Sequence, residues 1–186
     1  MKEKFNEKRY KLIAENIIGR KVLIMGSAQG ELNLYRKKNQ RFFGIDLVEN
    51  ENVDFSWDLN TFPYPNLGKF DTIIASEILD HMDSPLMFLK ECYNVLKPNG
   101  RIIITVPNMY GLMYLLGAWT NDASNKYEQH IYAWDSVLLK TLMERAGFKI
   151  LKLKTLTAYW HRNIFLRFIS DSVKRLSTHL MAVGIK

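Results

Sequence analysis

The chain has 186 residues, 26 Lys and Arg against 19 Asp and Glu, 47% apolar residues, ten glycines, five prolines and one cysteine. That length suffices for one compact domain with a sizeable core, and the ordinary apolar and charged fractions exclude disorder, collagen and low complexity. A lone Cys92 excludes a disulfide framework and a thiolate metal site and fits a reducing compartment, so a cytoplasmic protein is expected. The net charge of +7 favours anionic partners, although scattered lysines serve solubility first. Met1 to Phe5 carries charge without a following apolar stretch, so no secretory signal is expected, and no run reaches the roughly 18 apolar residues of a spanning helix.

Leu12, Ile13, Ile17 and Ile18 recur at helical spacing within Phe5 to Ile18, and Gly19 closes that predicted helix. Lys21 to Met25 is an apolar run too short for a helix, the pattern of a strand buried on both faces. Gly26 to Gly30 breaks it, and Glu31 to Lys38 is expected to restart as a helix with a carboxylate near its positive end. Arg41 to Ile45 reads as a second strand ending at Asp46, and Val53 to Phe55 as a third, followed by Asp58. Phe62 to Gly68 is turn chemistry, and Phe70 to Ala75 is a fourth strand. Ser84 and Pro85 open a helix as N-cap and first-turn residue, with Leu89, Cys92, Tyr93 and Leu96 as its buried stripe and Asn99-Gly100 as its end.

Arg101 to Val106 is a fifth strand, the most β-branched in the chain. Asp135 to Ala146 is an amphipathic helix capped at Gly147, Phe148 to Leu156 a strand, and Asn163 to Leu176 a helix with Phe165, Ile169, Val173 and Leu176 on one side. His179 to Ile185 is the last strand. The alternation predicts an α/β fold: a doubly wound, mostly parallel seven-stranded sheet with an antiparallel C-terminal strand. One domain is expected over residues 1–186, with 109–130 as a lid or substrate segment and 159–176 as a helical insertion before the last strand.

In such a sheet, ligands bind beyond the carboxyl ends of the strands, where the strand order reverses. The polar residues just after each strand therefore matter most: Gly26 to Gly30, Asp46, Asp58, Ser76 to His81, and Asn108. Gly26 and Gly30 bracket a tight turn where backbone passes close to a ligand. Asp46, about 20 residues further on, can accept both hydroxyl protons of a ribose. Together they favour a ribose-containing cofactor without separating a nicotinamide dinucleotide from other adenosine cofactors, though G-x-G-x-x-G is absent. No His/Asp cluster has ligand spacing, so no metal is expected.

The run Phe70 to His81 (FDTIIASEILDH), then Asp83-Ser84-Pro85, then Leu96 to Asn108 (LKPNGRIIITVPN), resembles class I S-adenosylmethionine-dependent methyltransferases, and more narrowly their small-molecule branch. Gln129 to Trp134, Leu139, Leu142 and Ala146 to Phe148 extend the similarity, which runs from about Val22 to Phe148. The resemblance implies a Rossmann-like methyltransferase fold, S-adenosylmethionine as cofactor, and methyl transfer to an oxygen or nitrogen of a small molecule. It places Gly26, Ser27, Ala28, Gln29 and Gly30 under the cofactor's methionine part, Asp46 on the ribose and Leu47 beside the adenine. It further places Asp58 at the adenine amino group, the Leu59 backbone N–H at the ring, and Ala75 and Ser76 where backbone receives the methionine ammonium. Two positions depart from the family. Ile24 stands where an acidic residue is usual, removing an acceptor, and Ala28 stands where a third glycine is usual, penalising a positive φ.

Ser76 to Leu79 replaces the (Asn/Asp)-Pro-Pro-(Tyr/Phe) loop of enzymes that methylate amino groups of nucleic acids and glutamine. Cys92 lies on an apolar helical stripe rather than in the Pro-Cys pair needed for cytosine, so no nucleic-acid partner is expected. His81 and His130 are the candidate bases, with Asp80 able to orient His81; bonding to backbone and capping a helix are their respective alternatives. Asn108 and Tyr110, at the head of the apolar segment running to Trp119, are candidate substrate contacts, and that segment reads either as a lid over an apolar acceptor or as a packed helix. Tyr159, Trp160, Phe165 and Phe168 with Arg162, Arg167, Lys174 and Arg175 could make peripheral contact with anionic lipid, or pack with Arg167 paired to Asp171. Either apolar addition would suit a lipid-linked acceptor. Two other functions stay open: a degenerate, non-catalytic binding protein, favoured by Ile24 and Ala28, and a nicotinamide-dependent oxidoreductase.

Overall fold

The computed structural model describes residues 2–112, 115, 131–156 and 172–186. Its strands are β1 (Lys21–Met25), β2 (Arg41–Asp46), β3 (Phe55–Ser56), β4 (Phe70–Ser76), β5 (Leu96–Pro107), β6 (Lys149–Leu156) and β7 (His179–Ile185). They form one seven-stranded sheet in the order β3-β2-β1-β4-β5-β7-β6. β1 to β5 pair in parallel, whereas β7 runs antiparallel to both β5 and β6. The predicted fold class and the final strand's direction are therefore observed.

Because successive residues of a strand face opposite sides, the central strands fill two cores. Val22, Ile24, Ile74, Ile103, Met181 and Val183 face one side, where Tyr10, Ile13 and Ile17 cover them. The first two of these come from helix α1 (Lys2–Ala14) and Ile17 from the turn after it. Leu23, Met25, Ile73, Ala75, Ile102, Ile104 and Ala182 face the other side. There they meet Phe88, Leu89 and Cys92 of helix α2 (Pro85–Val95) and Leu139 and Met143 of helix α3 (Ser136–Arg145). Burial pushes the Cys92 thiol well above its ordinary pKa, so the residue packs as a small hydrophobe.

Several elements differ from expectation. Helix α1 stops before Ile18 because Asn16, 2% exposed, turns its amide back to donate to the Leu12 carbonyl at 2.7 Å. The helix expected over Glu31 to Lys38 is only a 3-10 turn, Glu31–Tyr35. Within that turn Leu32 alone is buried, and α1 already covers the sheet face that a longer helix would need. Helix α2 ends at Val95, so Leu96 opens β5 and Asn99 turns the chain with φ +62°. The third strand is two residues long, Phe55–Ser56, where Val53 to Phe55 is expected.

The Ser84 side chain makes no capping bond, although Pro85 does occupy the first turn. Lys174–Leu176 forms a 3-10 turn preceded by an extended Val173, so the helix expected to reach Leu176 does not. The remainder of that segment, and most of the 109–130 segment with His130, lie outside the described residues. Among the described residues, no helix is long and apolar enough to cross a membrane.

Helix α3 begins where the sequence places it, because the Asp135 carboxylate accepts from the backbone N–H groups of Val137 and Leu138 at 2.8 and 2.7 Å. Asp135→Ala is expected to cost ~1 kcal/mol of unfolding free energy in urea, and Asp135→Asn much less.

Candidate functional site

The register of β1 builds one rim of the sheet. Met25 is level with Ile45 of β2 and with Ala75 of β4. One residue further along each strand come Gly26, Asp46 and Ser76, side by side at the point where the strand order reverses. A cleft of about 250 Å³ opens there, walled by Gly26 to Leu32, Asp46 and Ser76 to Ile78, with Arg9 and Tyr10 of α1 on the far side. At roughly 30 Å³ per water molecule, it has room for an organic group rather than a few solvent molecules.

The glycine loop is shaped by close approaches. Gly26 has φ +70° and Gly30 φ +67°. A Cβ on Gly26 would lie 2.2 Å from the Ile78 side chain, and one on Gly30 would lie 2.5 Å from that of Asn52. The intervening peptide is tied to the chain after β2. The Ala28 N–H donates to Asp46 Oδ2 at 3.0 Å, Asn50 Nδ2 donates to the Ala28 carbonyl at 2.9 Å, and Ser27 Oγ donates to the Asn52 carbonyl at 3.1 Å. Ala28 is not among the residues with positive φ, so the strain expected from replacing a glycine there does not arise. Ile24, 7% exposed, presents hydrocarbon to the same cleft.

Three carboxylates line the cleft, Glu31, Asp46 and Glu77, opposite the single cation Arg9 among the described lining residues. Tyr10 donates its hydroxyl to Glu31 Oε2, and burial together with that carboxylate raises the phenol to about 12. Glu77 has φ +56°, a left-handed conformation that residues other than glycine seldom adopt. Its Oε1 accepts from Thr105 Oγ1 at 2.7 Å and lies 3.2 Å from Arg9 Nη1, while Oε2 lies 3.2 Å from His179 Nε2. Burial alone would push this carboxyl up, but His179, Arg9 and the Thr105 hydroxyl outweigh it and hold it at about 2.

Of the residues singled out from sequence, Gly26, Ser27, Ala28, Gln29, Gly30, Asp46 and Ser76 wall the cleft together. Leu47 stands exposed beside it in sequence, whereas Ala75 is fully buried beneath. Asp58 lies outside the cleft wall: its Oδ1 accepts from the Asn60 N–H at 2.9 Å within its own turn, and Leu59 packs into the core. His81 also lies outside, with Nε2 3.6 Å from Oδ2 of the buried Asp80.

Asn108 lies outside the cleft wall. It is 3% exposed, its Nδ2 donates to the carbonyls of Arg175 and Ser177 at 3.0 and 2.6 Å, and its Oδ1 accepts from the Tyr110 N–H at 3.2 Å. Its amide is consumed in joining β5 to the approach to β7; the Tyr110 side chain remains about half exposed. Sequence reasoning assigns no role to Arg9, Tyr10, Glu77 or His179. Only Glu77 carries a signal, its place directly after β4.

The sheet order, the antiparallel last strand and a cleft at the β1/β4 switch define the fold of class I methyltransferases. The methyltransferase domain family matches residues 1–153, and the chain belongs to it. Among known proteins it is similar to the mitochondrial ubiquinone biosynthesis O-methyltransferase of Rattus norvegicus, 28% identical over 128 residues that cover 62% of this chain and 37% of that protein. It is also similar to the ubiquinone biosynthesis O-methyltransferase of Idiomarina loihiensis, 25% identical over 140 residues covering 63% of this chain and 58% of the relative. The chain thus spans less than two thirds of either relative.

In fold it matches the crystal structure of a SAM-dependent methyltransferase from Archaeoglobus fulgidus, with a TM-score of 0.66, 21% identity, and coverage of 100% of this chain and 97% of that one. It also matches N-methyltransferase NodS from Bradyrhizobium japonicum in complex with S-adenosyl-L-homocysteine, with a TM-score of 0.64, 12% identity, and coverage of 98% and 87%.

The Glu77 carboxyl titrates lower in the folded chain than its ordinary 4.5, so the stability it contributes is complete above that value and is lost as pH falls toward about 2. Urea unfolding of the wild type and Glu77→Gln should show a gap in stability that is widest near neutrality and closes between about pH 4.5 and 2. A gap independent of pH would contradict the assignment.

Proposed function

We propose that the protein binds S-adenosylmethionine in this cleft and directs methyl transfer to an oxygen of a small, apolar or lipid-linked acceptor. The carrying observation is Asp46, which stands at the end of β2 on the rim shared with the glycine loop and contributes a carboxylate to the cleft wall. A carboxylate so placed accepts from both ribose hydroxyls, and Gly26 supplies the left-handed turn that brings the loop backbone onto the cleft, where a Cβ would collide with Ile78. The exposed Leu47 and Val48 offer an apolar rest for the adenine ring just beyond Asp46. Arg9 suits the carboxylate of the amino-acid end, while Glu31 and Glu77 offset the cationic remainder.

When bound, the donor supplies an electrophilic methyl group on a sulfonium. The chain's part is then to hold the two reactants in line and keep water out, which can supply roughly 7–11 kcal/mol. The oxygen acceptor is supported by the similarity to ubiquinone biosynthesis O-methyltransferases. The apolar character of the acceptor is further supported by Tyr110, Ile131 and Tyr132, exposed on either side of the 113–130 segment. We further propose a cytoplasmic setting, with which the buried Cys92 thiol is compatible. Ile24, which puts hydrocarbon where an acceptor for the donor is usual, favours a second reading, a degenerate non-catalytic protein with little or no affinity for the donor.

Calorimetric titration with S-adenosylhomocysteine should give saturable binding that Asp46→Ala weakens by roughly tenfold or more, from the loss of charge-assisted hydrogen bonds. Asp58→Ala should matter less, since its carboxylate is engaged in its own turn. NADH should give no heat; binding of NADH in preference to the thioether would sink the proposal. Transfer of labelled methyl to quinol or lipid-linked acceptors separates an enzyme from a binding protein.

A further inference from the structure

Arg9 of α1 and Glu77, the residue after β4, stand in the cleft wall, and His179, the first residue of β7, backs Glu77 from outside it. Strand alternation shows what is unusual there. Ser76, Thr105 and His179 lie two residues from Ile74, Ile103 and Met181, so all three belong to the sheet face that α1 covers. A residue simply prolonging β4 past Ser76 would project to the opposite face. Glu77 does not: its left-handed backbone returns the carboxylate to the α1 face, onto Thr105 Oγ1 and His179 Nε2.

The brace behind it is itself fixed, since His179 Nδ1 is 2.9 Å from Thr178 Oγ1 and Ser76 Oγ is 2.9 Å from Thr105 Oγ1. Glu77 therefore meets Arg9 as a rigid anion whose charge the surrounding groups maintain. A second contact, Arg9 Nη2 donating to Tyr10 Oη at 3.4 Å, limits rotation of the guanidinium. A guanidinium whose plane is fixed by such contacts meets a ligand carboxylate from one direction.

We propose that Glu77 is a positioning residue: braced by Thr105 and His179, it aims the Arg9 guanidinium at the carboxylate of the donor's amino-acid end and so makes the last strand part of the donor site. This rests on the donor reading given above and adds to it a brace that reaches across the sheet to β7.

The test compares two nucleoside thioethers by calorimetry: S-adenosylhomocysteine, and 5′-methylthioadenosine, which lacks the amino-acid end. Glu77→Gln should weaken the first by about tenfold and leave the second within about twofold. His179→Ala should produce the same pattern more mildly, and it carries the comparison if Glu77→Gln does not fold. In an Arg9→Met background, Glu77→Gln or His179→Ala should cause little further loss for S-adenosylhomocysteine, because the group they position is gone. Equal weakening of both ligands, or losses that add fully in the Arg9→Met background, would overturn the proposal while leaving the donor reading intact. A wild-type protein that binds neither thioether would overturn the donor reading and the proposal with it.

Discussion

Met25 is hydrogen-bonded into register with Ile45 on one side and Ala75 on the other, and the cleft follows from that alignment. Three strands that stop at the same level deliver a glycine, an aspartate and a serine to a single rim, and the reversal of strand order leaves that rim uncovered by a crossover. Sliding β2 by one residue would turn Asp46 to the opposite face and bury it in hydrocarbon. The apolar residues beneath the rim hold the register: Val22 and Ile24 lock into one core, Leu23 and Met25 into the other.

On that frame the polar groups organise each other. Asp46 receives the Ala28 N–H while Asn50 donates to the Ala28 carbonyl, so the turn that walls the cleft is held at the peptide groups on both sides of Ala28. Across the cleft, Arg9 and Tyr10 arrive from a helix whose apolar residues anchor it to the sheet. The carboxylates they meet, Glu77 and Glu31, belong to the chain just after β4 and just after the glycine loop. The wall thus carries both charges that a zwitterionic ligand presents, at places set by secondary structure rather than by mobile side chains.

The strands were readable because their cause is local. Lys21–Met25 and His179–Ile185 are short apolar runs flanked by polar turns, and no distant residue is needed to recognise them. Asp46 was readable for the same reason, by its place at a strand end. Asn108 shares that kind of place, yet its amide is taken by carbonyls from the segment before β7, a contact invisible along the chain. The expected helix after Gly30 failed because burial, not propensity, decides such segments, and α1 already occupies the ground. Arg9 and His179 gain their significance only through Glu77, whose own conformation breaks the strand alternation that sequence reading relies on.

On the proposed function, the rim of β1, β2 and β4 holds the nucleoside of a methyl donor. Amide chemical-shift mapping of the isotope-labelled protein, titrated with S-adenosylhomocysteine, tests this placement residue by residue. Saturable shifts should concentrate at Gly26 to Glu31, Asp46 to Val48 and Ser76 to Ile78, with little change along β6. Shifts that gather elsewhere on the sheet, or none at ligand concentrations well above those of a working cofactor, would contradict that placement.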